Sequence, residues 1–263
     1  MARRFIFIRK SGLPFTTDFI AATGITDATI IAALTAMEES LTAGGLITYG
    51  GTSLIKALYP FVGGSASTHK YNFMNPLDTD GAFRLTFSGG WTHASSGAQP
   101  NGTNGYADTH LNPFAELSAS DTHISLYSRT SGDLASVEMG NSDGGDVKAT
   151  AIACRNSNTA YFVQGGGYGV SASNTDGKGH YIASANGSNT DGYKDGSSVV
   201  SASETHSLQN SSIFIGAVLR GASPAYYTSR EFGPVTIGQG LNSTQAGVLA
   251  TAVITLQTDL SRL

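Results

Sequence analysis

The hydrophobic and polar positions of this chain change period twice. Between residues 26 and 45 the apolar residues Ile30, Ile31, Leu34, Met37 and Leu41 recur at helical spacing, with Thr26 or Asp27 placed to cap the first turn and Gly44 and Gly45 to end the helix. A second, short helix is predicted over residues 52–58, stopped by Pro60. From about 82 to 240 the period shortens. Runs rich in Val, Ile, Tyr, Phe, Thr and Ser, such as residues 83–87, 123–128, 148–154, 160–164 and 212–218, are broken by Gly, Asn and Asp clusters. Turn signals at this density are those of an antiparallel sandwich, in which each strand buries one face and leaves the other to Ser and Thr. Residues 242–263 return to a helical stripe of Leu249, Ala252, Val253, Leu256 and Leu260, and Asn242 with Gln245 forms a capping-box pair.

The string Ser-Asn-Thr-Asp-Gly occurs at 173–177 and again at 188–192, on either side of an apolar run at 179–185. Asp-Gly supplies the positive-φ residues of a tight hairpin, so both copies are predicted to be turns at the two ends of one strand.

Composition narrows the class. Of 263 residues 33 are Gly and only 13% are charged, while 40% are hydrophobic. A chain of this size and apolar share buries a core, and its glycines have neither the Gly-X-Y period of collagen nor a place in helix interiors. Lys and Arg number 15 against 19 Asp and Glu, a formal net charge of −4, which argues against a nucleic-acid partner. The basic start, with Arg3, Arg4, Arg9 and Lys10, encloses an apolar run too short for a secretory signal, and no run is long enough to span a bilayer. The expectation is a soluble protein made in a cytosol, with no membrane insertion. Those four basic residues are read either as an anchor arm to neighbouring subunits or as the ends of a short edge strand. Cys154 stands alone in an apolar strand and is read as a small buried hydrophobe.

Chemistry is sparse. The Asp-Gly clusters at 78–81 and 143–146 raise calcium, yet neither follows the twelve-residue calcium loop, and ordinary turns are the expected reading. The glycine run at 165–169 lacks the Lys-Ser/Thr of a phosphate loop and is expected to be a hairpin or bulge. His69, His93, His110, His123, His180 and His206 show no zinc spacing, and no Gly-x-Ser-x-Gly elbow is present. The glutamates Glu38, Glu39, Glu116, Glu138, Glu204 and Glu231 lie singly or on the helix, although neighbouring strands remain able to bring two carboxyl groups together for glycoside hydrolysis. The aromatics carry more promise. Trp91, after Gly89 and Gly90, and the pair Tyr226 and Tyr227, after Pro224, sit in loop contexts that present rings for sugar or partner recognition. The plainer alternative makes Trp91 a core plug and the tyrosines covers of a sheet edge.

Residues 101–109 (NGTNGYADT), then Leu111, Asn112 and Pro113, then the strand at 123–129, resemble the opening of laminin-G-like domains of the concanavalin A-like jelly-roll superfamily. Residues 191–199 (DGYKDGSSV) resemble that family's Tyr-x-Asp-Gly hairpin, 212–217 its Ile-Gly strand, and 231–245 its closing strand and helix start. With 59–70 and 83–93 added upstream, the chain more specifically resembles a group of tailed-bacteriophage virion proteins. The resemblance implies a mainly-β, antiparallel two-sheet jelly-roll sandwich with an N-terminal helical segment and a C-terminal helix. It divides the chain into an arm and helical segment, 1–75, and a jelly roll with its terminal helix, 76–263. It further implies a non-enzymatic virion component, in tail, fibre or head decoration, made in the host bacterial cytoplasm. Expected partners are other virion proteins, further copies of the chain as a homo-oligomer, and host-surface glycan. A particle-borne depolymerase and a ligand-free capsid-decoration protein are the alternatives. No calcium ligand set of the laminin-G type aligns residue by residue, and the Glu-x-Asp-x-x-Glu strand of the related glucanases is absent. No cofactor is therefore expected, calcium being left open and any metal ligands unassigned.

Overall fold

A computed structural model of the chain describes residues 13–167 and 169–263. The basic residues at 3, 4, 9 and 10, and the tyrosine of the 165–169 glycine run, lie outside the described residues.

Among the described residues the chain forms two sheets and a helical layer. The first sheet has the order β13 (Ser197–Ser203), β12 (Asn189–Lys194), β11 (Gly179–Asn186), β6 (Asp121–Ser128), β17 (Phe232–Gly238), β4 (Gly97–Pro100) and β3 (Trp91–Ala94), with β1 (Ile55–Tyr59) also paired to β17. The second runs β10 (Val170–Ser173), β9 (Thr159–Gln164), β8 (Ala149–Asn156), β7 (Met139–Ser142), β14 (Phe214–Ile215), β5 (Tyr106–Asp108) and β2 (Thr86–Ser88), with β15 (Val218–Arg220) beside β7 and β16 (Ser223–Ala225) beside β15. Pairing is antiparallel except between β15 and β7. This is the mainly-β two-sheet sandwich that the alternating pattern predicts, with helices at both ends of the sequence.

Alternation along each strand decides what faces what. From the first sheet Ile124, Leu126, Tyr181, Ala183, Val235 and Ile237 point inward and meet Ile152, Cys154, Phe162 and Ile215 of the second. The Cys154 thiol is buried there, and that burial pushes its pKa well above the ordinary value. The opposite face of the first sheet, including Tyr127, Ile182 and Tyr193, is covered by α1 (Pro14–Thr23), α2 (Ala28–Ala43) and α5 (Ser243–Asp259) through Phe19, Leu34, Met37, Leu249 and Leu256. The layers are therefore helices, first sheet, second sheet. Among the described residues no helix covers the outer face of the second sheet.

Helix ends follow their sequence signals. Asp27 accepts from the Thr29 and Ile30 amides, and Asn242 and Gln245 make the reciprocal box. The helix α1 lacks a capping side chain of its own. Buried Glu38 of α2 supplies one, accepting from the Phe15 and Thr16 amides at 3.1 and 2.7 Å.

Two local expectations are corrected. Residues 52–58 form no helix; Ile55–Tyr59 is a strand paired to β17. Both faces of this strand are buried, Leu58 among the helices and Ala57 and Tyr59 between the sheets, and pairing with β17 outweighs helical spacing in so short a run. The second Ser-Asn-Thr-Asp-Gly copy is strand β12 rather than a turn, because the reversal is made one step earlier, at Gly187 with φ 67° between Asn186 and Asn189.

Candidate functional site

The face of the second sheet turned away from the helices holds a groove of about 320 Å³. Its floor is Ala149, Ala151 and Ala153, the outward residues of β8, whose neighbours Ile152 and Cys154 point into the core. Beside them β7 carries Gly140 at φ 151°, where a Cβ would strike the Thr150 carbonyl and the Ala151 side chain. Small residues on two adjacent strands leave the depression. Its sides are Tyr161 and Val163 of β9, Val218 of β15, Val137, and Tyr226 after β16.

Two tyrosines stand on opposite walls. The Val137 N–H donates to the Tyr226 carbonyl at 3.0 Å, so Tyr226 runs beside the segment that enters β7. The pairing then steps through β8 to β9 and Tyr161. Three strand spacings of about 4.8 Å separate the two backbones, roughly 14 Å, enough for a flat ring to lie between the side chains. Tyr226 is 54% exposed and holds φ at 51° without being glycine. A large side chain in that conformation is strained, and strained residues concentrate at ligand sites.

The polar groups of the lining are Ser136, Ser142, Asp146 and Asn156. Asp146, also at positive φ, accepts from Ser142 Oγ at 2.6 Å and from Arg220 Nε and Nη2 at 3.2 and 2.8 Å. The Arg220 hydrogen bonds hold its carboxyl below the usual carboxylate range. It therefore stays an anionic acceptor of fixed orientation. Behind the groove Ser136 Oγ donates to Glu138 Oε1 at 2.7 Å, and Glu138 is ion-paired with Arg230 at 2.9 Å, both fully buried. Arg230 also donates to the Thr130 and Arg155 carbonyls. This pair fixes the floor segment from below.

Among the described residues Asp146 is the one carboxylate in the lining, and it is bound to Arg220. Of the six glutamates named from sequence none lines the groove, and four are engaged elsewhere: Glu38 caps α1, Glu116 pairs with Lys56, Glu138 with Arg230, and Glu231 with Arg129. The Asp-Gly clusters are turns. Asp78 and Asp80 are taken by Lys70 and Arg84, while Asp143 accepts from the amides of Gly145 and Val147. Among the described residues no group of three or more His, Cys, Asp or Glu is placed to hold a metal ion.

Of the aromatics singled out in the sequence, Tyr226 lines the groove. Tyr227 is half-buried and outside the lining. Trp91 lies on edge strand β3, its Nε1 donating to the Tyr106 carbonyl at 3.1 Å and its ring set edge-on to Phe87, packed against the inter-sheet core. Sequence reasoning did not single out Tyr161 or the alanine floor. The signal was present in residues 149–154, where small Ala alternates with Thr, Ile and Cys.

This architecture defines a class, the two-sheet β-sandwich with helices packed on one outer face. No family model matches the sequence, and no curated protein matches it. Among solved structures the chain is similar to domain 4 of AbnA, a GH43 extracellular arabinanase from Geobacillus stearothermophilus, in complex with arabinotriose: TM-score 0.53 and 15% identity, over 74% of this chain and 98% of that domain. It is also similar to a Trypanosoma rangeli sialidase variant displaying trans-sialidase activity, with TM-score 0.54 and 12% identity over 88% of this chain and 39% of the sialidase. The same sialidase in complex with sialic acid gives a TM-score of 0.52 at 12% identity, over 87% of this chain and 38% of that one. The chain thus spans about two-fifths of the sialidase's length. At these identities the likeness establishes the fold, and these neighbours are parts of glycan-binding or glycan-degrading proteins.

Proposed function

We infer that the chain is a non-catalytic glycan-binding sandwich that takes a saccharide in the groove between Tyr161 and Tyr226. One observation carries this reading: two tyrosines face across a small-residue floor on the sheet face that the helices leave open. A sugar ring has an apolar C–H face and a rim of hydroxyls. The tyrosine rings and alanine methyls match the first, and Asp146, Asn156, Ser136 and Ser142 match the second. The arabinotriose held by the similar AbnA domain supports the same ligand class. Hydrolysis would need two carboxyl groups across the scissile bond, and the lining supplies one, held by Arg220.

The proposed setting is a bacteriophage particle, in tail, fibre or head decoration, and it rests on the sequence resemblance. There, many copies convert weak single-site binding into avidity. Incubation of the purified protein with host surface polysaccharide tests the function. Retention without shortening is expected; shortened chains point to a depolymerase, and absence of retention to a ligand-free decoration protein, either of which overturns the reading. Mass spectrometry of purified particles tests the setting, which fails if the chain is absent from them.

A further inference from the structure

We propose that the chain carries a second saccharide site, built around Tyr49 on the helical side of the molecule, so that a single chain bridges two glycan strands. A cleft of about 410 Å³ opens where the loop at residues 48–53 passes α1 and the start of β1. Tyr49 stands at its edge, 56% exposed. Its orientation is fixed from two sides. The hydroxyl donates to Asp18 Oδ2 at 3.0 Å, and the ring meets Phe15 edge-on at 5.2 Å and 77°. With the hydroxyl committed to Asp18, what the residue offers a ligand is its π face.

The rest of the cleft has the two-sided chemistry of a sugar. Ile55 and Met74 give it an apolar wall, while Thr48, Thr52 and the Lys56 ammonium give it hydroxyl and cationic groups. Lys56 is half-buried and its ammonium pairs with Glu116 at 2.8 Å. The loop is held shut by Ser53, whose Oγ accepts from the Thr48 amide at 2.9 Å and donates to the Thr48 carbonyl at 3.2 Å. Gly50, at φ 69°, lets the loop turn with no side chain over the cleft. An exposed aromatic plate with both ends immobilised, beside mixed apolar and hydrogen-bonding walls, stacks a sugar ring at small entropic cost.

Position gives the second site its consequence. The Tyr161 and Tyr226 groove lies on the outer face of the second sheet, and the Tyr49 cleft lies in the helical layer beyond the first. The two sites share no residue and are separated by both sheets. Glycan chains held at the two sites are thereby linked through the protein.

Isothermal titration with arabinotriose, maltotriose, cellotriose and α2,3-sialyllactose, on the full chain and on Tyr49→Ala and Tyr226→Ala, tests the inference. The expected result is two sites per chain for at least one probe, falling to one in either variant. Lys56→Met, which leaves Tyr49 in place, is expected to weaken the second site about tenfold and leave the first unchanged. A single site abolished by Tyr226→Ala and untouched by Tyr49→Ala overturns this inference and leaves the groove reading standing. A single site with the reverse dependence upholds the Tyr49 site and overturns the groove. No saturable binding of any probe overturns both.

Discussion

Replacing Glu138 by glutamine removes one charge from a buried pair and leaves the other in place. Glu138 Oε1 accepts from Ser136 Oγ, Arg230 Nε and Thr228 Oγ1 at 2.7, 2.9 and 3.1 Å, and Oε2 accepts from the Cys154 amide at 2.6 Å. All four partners donate, so a glutamine NH2 meets a donor whichever way it is turned. Arg230 remains fully buried with two backbone carbonyls and no anion. Stranding one member of a buried pair costs about 3–5 kcal/mol. That is a large share of the roughly 5–15 kcal/mol by which a domain is stable. Urea denaturation at pH 7.5 is the assay, and an unchanged slope with a lower midpoint is the expected form of the loss. The double variant Glu138→Leu with Arg230→Met removes both charges and is expected to recover most of the loss. Because Glu138 holds Ser136, and Tyr226 is bonded to the adjacent Val137, saccharide affinity of the glutamine variant should fall with its stability. A loss below about 1 kcal/mol, or a double variant no better than the single one, refutes the reasoning.

Burial depresses His69 and His180 to about 3 and His123 to about 4, so each binds a proton on unfolding that it lacks when folded. Their contribution is full above the unfolded value near 6.5 and is lost as pH falls toward 4, at about 1 kcal/mol per pH unit for each histidine; urea midpoints that stay flat from pH 7.5 to 5 contradict this. Ala151→Leu fills the groove floor and should abolish saccharide retention while thermal stability changes by about 1 kcal/mol or less; retention at the original level counts against the site. Fully buried Asn72 accepts from the Leu58 and Met74 amides and donates to the Lys56 and Ala82 carbonyls, so Asn72→Ala should lower the urea-derived stability by about 1–3 kcal/mol. An Asn72→Ala protein as stable as the parent removes the brace from the account.

The sandwich was readable because its strands alternate cleanly: Ile124, Leu126, Val235 and Ile237 are inward residues at period two in their own runs. The terminal helix α5 was readable from its stripe and its Asn242 and Gln245 box, both of which are local. Less of the outer architecture was legible. The helix α1 is not among the elements the periodicity predicts, although Pro14 stands in its first turn and Gly24 at its end, and its cap comes from Glu38, a residue 22 positions away from Thr16. Strand β1 has a short apolar run whose identity is settled by pairing with β17, far along the chain. The groove was legible only in part. Tyr226 stood out as an aromatic in a loop, but Tyr161 reads as an ordinary strand residue, and only the register of β8 with β7 and β9 places the two rings across one floor.

The central claim is that a saccharide lies on the alanine floor between Tyr161 and Tyr226. Titration of methyl-labelled protein with the saccharide it retains, followed by NMR, reads that floor directly. Saturable shifts of the Ala149, Ala151 and Ala153 methyls are predicted, with the inter-sheet Ala183 methyl unmoved and the shifts lost in Tyr226→Ala. Binding that leaves those three methyls in place would contradict the account.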